Sequence, residues 1–263
     1  IIDSNFTAAS ELADRHGGSA MTVDAAHSRL DEASLIVTSP GWRPDTPLLR
    51  DAQAQGIPVI GDVELAWCAD RDGRFGEPRT WLAVTGTNGK TTTVGMTTAI
   101  CQQAGMSAVA CGNIGYPIEE ALLDPNHPDV LVCELSSFQL HWAPSVKPLA
   151  GALLNIDEDH LDWHGSVEAY AADKARVLNG LYAIVGLDDP RAAAAGDECS
   201  AQFVIGFRAG EPVRGQIGVH ENGLFDNAFG PNDAARFLIE CADIHPAGPA
   251  GVLDAGAAAA LAM

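Results

Sequence analysis

The sequence predicts an α/β chain of two domains, the larger of them built on a mainly parallel sheet. Three observations predict it. Short, near-continuous apolar runs alternate with helix-compatible stretches, the pattern of strands covered on both faces. Polar residues cluster just after those runs, where open α/β sheets bind their ligands. One cluster is a glycine-rich loop between an apolar run and a helix-compatible segment reaching Gln103.

In chain order, Ile1-Ile2-Asp3 reads as the end of a strand, Leu35-Ile36-Val37 and Ile57-Pro58-Val59-Ile60 as strands, and Pro47 to Gln55 as a helix between them. The charged, glycine-bearing and proline-ended stretch Arg71 to Arg79 reads as a linker, which divides the chain into domains 1–76 and 77–263. Strands of the second domain are expected near Leu82-Ala83-Val84, Ala108-Val109-Ala110, Val130-Leu131-Val132, Leu153-Leu154 and Tyr182 to Val185. Ser166 can cap a helix to about Leu178 on which Val167, Tyr170, Ala171, Lys174, Val177 and Leu178 share one face. From 200 to 245 the signals thin to Phe203 to Phe207 and Gly218-Val219-His220, and an alanine-rich helix closes the sequence.

Composition bounds the function. With 263 residues and 47% hydrophobic content, the chain can bury substantial cores. A formal charge of -20, from 35 acidic against 15 basic residues, argues against nucleic acid and anionic membrane surfaces as partners. No apolar run is long enough to cross a bilayer, and the six cysteines form no C-x-x-C pair, so a reducing cytoplasmic compartment with core thiols is expected. The sequence opens without Met and stops inside a helix, so it reads as a piece of a longer protein.

The loop Gly86-Thr87-Asn88-Gly89-Lys90-Thr91-Thr92 carries the clearest chemistry. Its glycines let backbone N–H groups turn inward, the helix that follows offers its positive end, and Lys90 and Thr91 can reach phosphate oxygens and Mg²⁺. It is a shortened phosphate loop, because the common pattern would place its first glycine at Val84. ATP is the expected ligand.

Glu134 ends an apolar run, as a carboxylate that holds Mg²⁺ in an ATP site would, although a helix N-terminal acid is the alternative. Asp157-Glu158-Asp159-His160-Leu161-Asp162-Trp163-His164 packs four acids and two histidines after a strand, and either a cation or cationic substrate shares them or they form a solvated turn. Lys174, one of only three lysines, points inward from its helix. A buried lysine pairs or loses its proton, and a neutral amine can act as a nucleophile or combine with CO₂ as a carbamate; a stem buried with its ammonium reaching solvent is the other reading.

Together these segments resemble the Mur ligases of bacterial cell-wall synthesis. The shortened loop is typical of that family and of folylpolyglutamate synthetases, and Glu134-Leu135-Ser136-Ser137-Phe138-Gln139-Leu140 looks most like the member that adds D-glutamate. Ser39-Pro40-Gly41, with Gly61-Asp62-Val63-Glu64-Leu65 downstream, resembles that member's Rossmann-like nucleotide-sugar domain. Asn155 to Asp162 and Tyr170-Ala171-Ala172-Asp173-Lys174 match family segments too.

The resemblance implies an ATP-dependent ligase that joins D-glutamate to UDP-N-acetylmuramoyl-L-alanine through an acyl phosphate, working as a monomer. It implies that Thr91 and Glu134 hold one Mg²⁺, and that His160 and carbamylated Lys174 hold a second. Lys90 would act on the transferred phosphoryl group. Ser39, Pro40, Gly41, Asn113, Ser136 and Gln139, with Ser4 and Asn5, would contact substrate. A sister ligase adding diaminopimelate or lysine is the near alternative, and a phosphate-loop NTPase or phosphotransferase the distant one. The family's third domain is expected beyond Met263. The family's His-Asn-x-x-Asn-Ala segment, at the end of the central domain, reads here as Ala250-Gly251-Val252-Leu253-Asp254-Ala255.

Overall fold

A computed structural model of the chain describes residues 1–230 and 235–263. It separates into two compact units, Ile1–Gly61 and Asp62–Met263.

The first unit holds α1 (Phe6–His16), α2 (Val23–His27), β1 (Ile36–Thr38), α3 (Pro47–Ala54) and β2 (Val59–Gly61). Asn5 caps α1 by accepting from the Ala8 amide, Thr22 caps α2 by accepting from Ala25, and Pro47 starts α3 where a missing N–H costs nothing. β1 and β2 run parallel, with Ile36 opposite Val59. A small core forms around Ala26, Leu30, Leu48 and Ala52.

The second unit contains, in order, α4 (Asp62–Arg71), β3 (Thr80–Thr85), α5 (Lys90–Gln103), β4 (Ala108–Gly112), α6 (Ile118–Leu122), β5 (Val130–Glu134), α7 (Ser137–His141), β6 (Ala150–Leu153), α8 (Leu161–His164) and α9 (Val167–Ala175). These are followed by β7 (Tyr182–Gly186), α10 (Pro190–Glu198), β8 (Phe203–Arg208), β9 (Gln216–His220), β10 (Gly223–Asp226), β11 (Arg236–Glu240) and α11 (Pro249–Ala262). The strands form one sheet in the order β11-β10-β9-β8-β7-β6-β3-β5-β4. It is parallel from β4 to β9 and antiparallel at β10 and β11. Alternate residues of each strand feed opposite cores: Trp81, Ala83, Leu131 and Cys133 face one, Leu82, Val84, Val130 and Val132 the other.

This order puts β3 between β5 and β6, with Val84 beside Glu134 and Thr85 beside Leu153, and sets the end of β4 next to Glu134 through Gly112. Four strand ends thereby open on one crevice.

Three details differ from the sequence reading. The units divide at Gly61, because α4 buries Val63 and Ala66 in the second unit's core, and its Asp70 accepts from the Arg79 guanidinium at 3.3 Å and the Trp81 indole at 3.0 Å. The Lys174 helix tightens after Ala175 into a 3₁₀ turn, Arg176–Asn179, that still buries Val177 and Leu178. Cys101, Cys111 and Cys133 are core thiols, whereas Cys68 is exposed and Cys199 and Cys241 half-buried. Among the described residues no helix is long and apolar enough to cross a membrane.

Candidate active site

The phosphate loop lies at the carboxyl end of β3, and Gly89 is the N-cap of α5. Its φ of 87° is left-handed, and a Cβ there would lie 2.3 Å from Asp254 Oδ1. At Gly86 a Cβ would meet that of Leu154 at 2.9 Å. Both glycines are therefore demanded by close approach. The loop is tied to the segment after β6: Thr87 N donates to Asn155 O at 3.0 Å, Asn88 N to Asn155 Oδ1 at 2.9 Å, and Asn155 Nδ2 returns a bond to Asn88 O at 3.1 Å. Lys90 Nζ folds back onto the carbonyls of Gly86 and Thr87, each at 2.9 Å. Burial holds its pKa below the ordinary lysine value, with Glu134 and Asp159 pulling the other way.

Thr91 Oγ1 donates to Glu134 Oε2 at 2.8 Å, and Asn113 Nδ2 donates to Glu134 Oε1 at 3.2 Å. Two hard oxygens from neighbouring elements thus converge where α5 begins. This donor set fits a Mg²⁺ that takes its remaining ligands from phosphate and water.

Lys174 is 2% exposed. Its Nζ donates to Gly86 O at 2.8 Å and Thr85 Oγ1 at 3.4 Å, and lies 4.8 Å from the centre of the Tyr170 ring. Burial first, then the Lys90 charge, pushes its pKa down to about 7. A sizeable fraction of this amine is thus neutral near pH 7 and able to add CO₂. As an amine it offers no oxygen to a second cation; as a carbamate it would. Tyr170, whose hydroxyl lies 3.1 Å from Thr87 Oγ1, is raised above the usual tyrosine pKa by burial.

A cavity of about 140 Å³ gathers these groups, lined by Thr87, Lys90, Asn113, Ser136, Ser137, Phe138, Asp159, His160, Tyr170 and Lys174. Of the acidic run, only Asp159 and His160 reach it; Asp157, Glu158 and Asp162 are exposed, as a solvated turn requires. His160 caps α8 at a left-handed φ of 51°, its Nε2 lies 3.4 Å from Asp159 Oδ2, and its ring centre is 4.8 Å from that of Phe138. Among the described residues no three His, Cys, Asp or Glu side chains form a metal-binding group. Thr92, also expected in the phosphate site, is half-buried in the first turn of α5.

Ser136 and Gln139 form a capping box on α7: Ser136 Oγ accepts from the Gln139 amide at 3.2 Å, and Gln139 Oε1 accepts from the Ser136 amide at 3.0 Å. Ser136 lines the cavity, whereas Gln139 does not. In the first unit, Ser39 follows β1 and borders a separate cavity of about 510 Å³ with Asp3, Arg29 and Trp42. Pro40 and Gly41 continue that turn, while Ser4 and Asn5 precede α1. Asn5 Oδ1 is occupied by its cap, and Ser4 Oγ donates to Asp3 Oδ1 at 3.4 Å.

Sequence reasoning missed two features. Asp254, 8% exposed on α11, accepts from Thr93 Oγ1 at 3.4 Å behind the phosphate loop, and burial pushes its pKa up to about 6. The lone acid of an alanine-rich helix was its only signal. The second is a chain of bonds, Ser137–His164–Asp173, running back from the cavity wall. Nothing in the linear spacing announces it.

The Mur ligase middle domain family matches residues 84–229. The chain is 54% identical over 261 residues to the UDP-N-acetylmuramoylalanine–D-glutamate ligase of Nocardia farcinica, covering 99% of this chain and 54% of that protein. It therefore spans about half the length of the curated relatives it matches. Among solved structures, a UDP-N-acetylmuramoyl-L-alanyl-D-glutamate–2,6-diaminopimelate ligase aligns with TM-score 0.58 at 19% identity, over 87% of this chain and 56% of its own. A MurF ligase from Thermotoga maritima in complex with ADP aligns with TM-score 0.52 at 18% identity, over 88% and 60%. At those identities the likeness is one of fold. With the middle-domain match covering the phosphate loop, Glu134 and Lys174, the chain belongs to the Mur ligase family.

Proposed function

We propose that this chain is the nucleotide-sugar- and ATP-binding part of an enzyme that joins D-glutamate to UDP-N-acetylmuramoyl-L-alanine, with ATP cleavage, in peptidoglycan precursor synthesis. The observation that carries this reading is the convergence of Lys90, Lys174, Asn113 and His160 on one cavity beside the Thr91–Glu134 pair. Its support from kinship is the 54% identity to an enzyme of that name, and the solved relative bound to ADP supports an adenine nucleotide.

In this reading the substrate carboxylate attacks the ATP γ-phosphate, forming an acyl phosphate and ADP. The amine of D-glutamate then adds to the acyl carbon, the C–O bond to phosphate breaks, and an amide and inorganic phosphate remain. Lys90 swings from its two carbonyls to the transferred phosphoryl group, where a positive charge offsets the repulsion between carboxylate and triphosphate. The α5 N-terminus and loop amides hold the phosphates. Thr91 and Glu134 would hold the Mg²⁺, which supplies charge neutralisation on the phosphate oxygens. Lys174, as a carbamate, would share a second ion with His160.

Asn113 and Ser136 orient the sugar-nucleotide substrate near the cavity, with Gln139 fixing Ser136 through the cap. Ser39, Pro40, Gly41, Ser4 and Asn5 are assigned to the uridine-nucleotide end. A monomer working in the cytoplasm belongs to the same reading. Mass spectrometry of the full-length protein under CO₂, without acid treatment, tests the carbamate: a mass gain of one CO₂ that is lost in Lys174→Ala is expected, and no gain contradicts it.

A further inference from the structure

Behind the cavity wall lies a set of polar contacts that phosphate and metal binding leave unused. Ser137 Oγ is 2.9 Å from His164 Nε2, and His164 Nδ1 is 3.0 Å from Asp173 Oδ2. The same carboxylate oxygen accepts from His141 Nδ1 at 2.9 Å, and Arg176 reaches the other oxygen at 3.2 Å. The His164 side chain is fully buried and Ser137 is 2% exposed, yet Ser137 lines the cavity with Lys90, Lys174 and His160.

These partners fix the direction of the protons. A carboxylate only accepts, so the neutral His164 ring carries its proton on Nδ1 and presents a bare Nε2. Ser137 must then donate its hydroxyl proton to Nε2, which leaves its oxygen lone pairs free for a donor in the cavity. This is the arrangement by which a hydroxyl, an imidazole and a carboxylate take up a proton in acyl transfer. The charge formed on His164 would be met by Asp173 at 3.0 Å.

The ligation needs such a group. An amino acid arrives as an ammonium, which has no lone pair, and must lose a proton before it can attack an acyl phosphate. We propose that Ser137, His164 and Asp173 form a proton relay that deprotonates the incoming ammonium group, with Ser137 touching the amine and His164 keeping the proton. This rests on the ligase reading above. The step balances: the ammonium N–H proton passes to Ser137 Oγ as the Ser137 proton passes to His164 Nε2. The freed amine adds to the acyl carbon, and its second proton leaves with the phosphate. His164 returns its proton to solvent after turnover. Ser137 and His164 are catalytic residues here, and Asp173 is a positioning residue, with His141 and Arg176 holding it from α7 and the 3₁₀ turn. The remaining titratable groups facing His164 are Tyr170, with ring centres 5.2 Å apart, and His160.

The test compares two acceptors in the full-length protein with ATP, Mg²⁺ and UDP-N-acetylmuramoyl-L-alanine: D-glutamate, an ammonium at neutral pH, and hydroxylamine, already an uncharged amine. In Ser137→Ala and His164→Gln, turnover with D-glutamate at pH 7 is expected to fall about a hundredfold or more, while hydroxamate formation changes less than about threefold on the same scale. The D-glutamate deficit should shrink roughly tenfold per pH unit toward pH 9, as solvent hydroxide replaces the relay. Ser137→Ala removes one oxygen and keeps the test open if His164→Gln does not fold. Equal loss with both acceptors, or no loss with either, overturns the relay and leaves the ligase reading standing. Absence of both hydroxamate and D-glutamate-dependent phosphate release in the unmodified protein overturns the ligase reading, and the relay with it.

Discussion

The two sides of the cavity are built in opposite ways. The phosphate-loop side is one unbroken segment, Gly86 to Thr91, whose geometry is written into consecutive residues: a strand before, glycines at the tight points, a helix after. The facing side is assembled from Asn113 after β4, Ser136 to Phe138 at the start of α7, Asp159 and His160 before α8, and Tyr170 and Lys174 on α9. A contiguous anion site needs only backbone amides and a helix end, which local chemistry supplies. The facing wall, to which the proposed ligation assigns a substrate, a second cation and a base, needs side chains of different kinds, which only the strand order β4-β5-β3-β6 brings together.

On the phosphate-loop side the largest effect is expected at Lys90. Lys90→Ala should lower ATP-dependent turnover by about a thousandfold, measured as phosphate release by the full-length protein; near-normal turnover would remove the loop from the chemistry. On the facing wall, Lys174→Ala should lose on the order of 10²–10³-fold, and added acetate, which replaces a carbamate carboxylate, should restore part of it. Loss without rescue would make Lys174 a cation at the loop instead of a ligand precursor.

Two stability measurements sharpen the contrast. Burial raises the Asp254 pKa to about 6, above its ordinary 3.8. The folded state therefore binds a proton more tightly than the unfolded chain, and stability falls as pH rises from about 4 through about 6. Asp254→Asn should be the more stable protein above pH 6, by at most about 3 kcal/mol, with the advantage gone below pH 4. A denaturation difference independent of pH would contradict that cause. Gly89→Ala should cost about 1–2 kcal/mol from its left-handed backbone. The further loss from the 2.3 Å approach to Asp254 should be recovered in the Asp254→Ala background.

Much of this was legible in the sequence, and for a physical reason. The parallel strands, the loop, Glu134 at a strand end and the inward Lys174 follow from periodicity and from which residues sit at strand and helix ends. What was not legible depends on folding. The sequence marks Arg71 to Arg79 as a linker, but the buried Asp70–Arg79–Trp81 network ties it into the second unit. It gives the acids 157–162 equal standing, whereas only Asp159 of them faces the cavity. The His164–Asp173 and Ser137–His164 bonds join residues 9 and 27 positions apart on three helices, which no spacing rule connects.

The most direct measurement is phosphate release by the full-length protein with ATP, Mg²⁺ and UDP-N-acetylmuramoyl-L-alanine, with and without D-glutamate. Release that requires both the nucleotide sugar and D-glutamate is the predicted result. Release indifferent to D-glutamate would contradict the proposed ligation and reduce the cavity to a site of ATP cleavage alone.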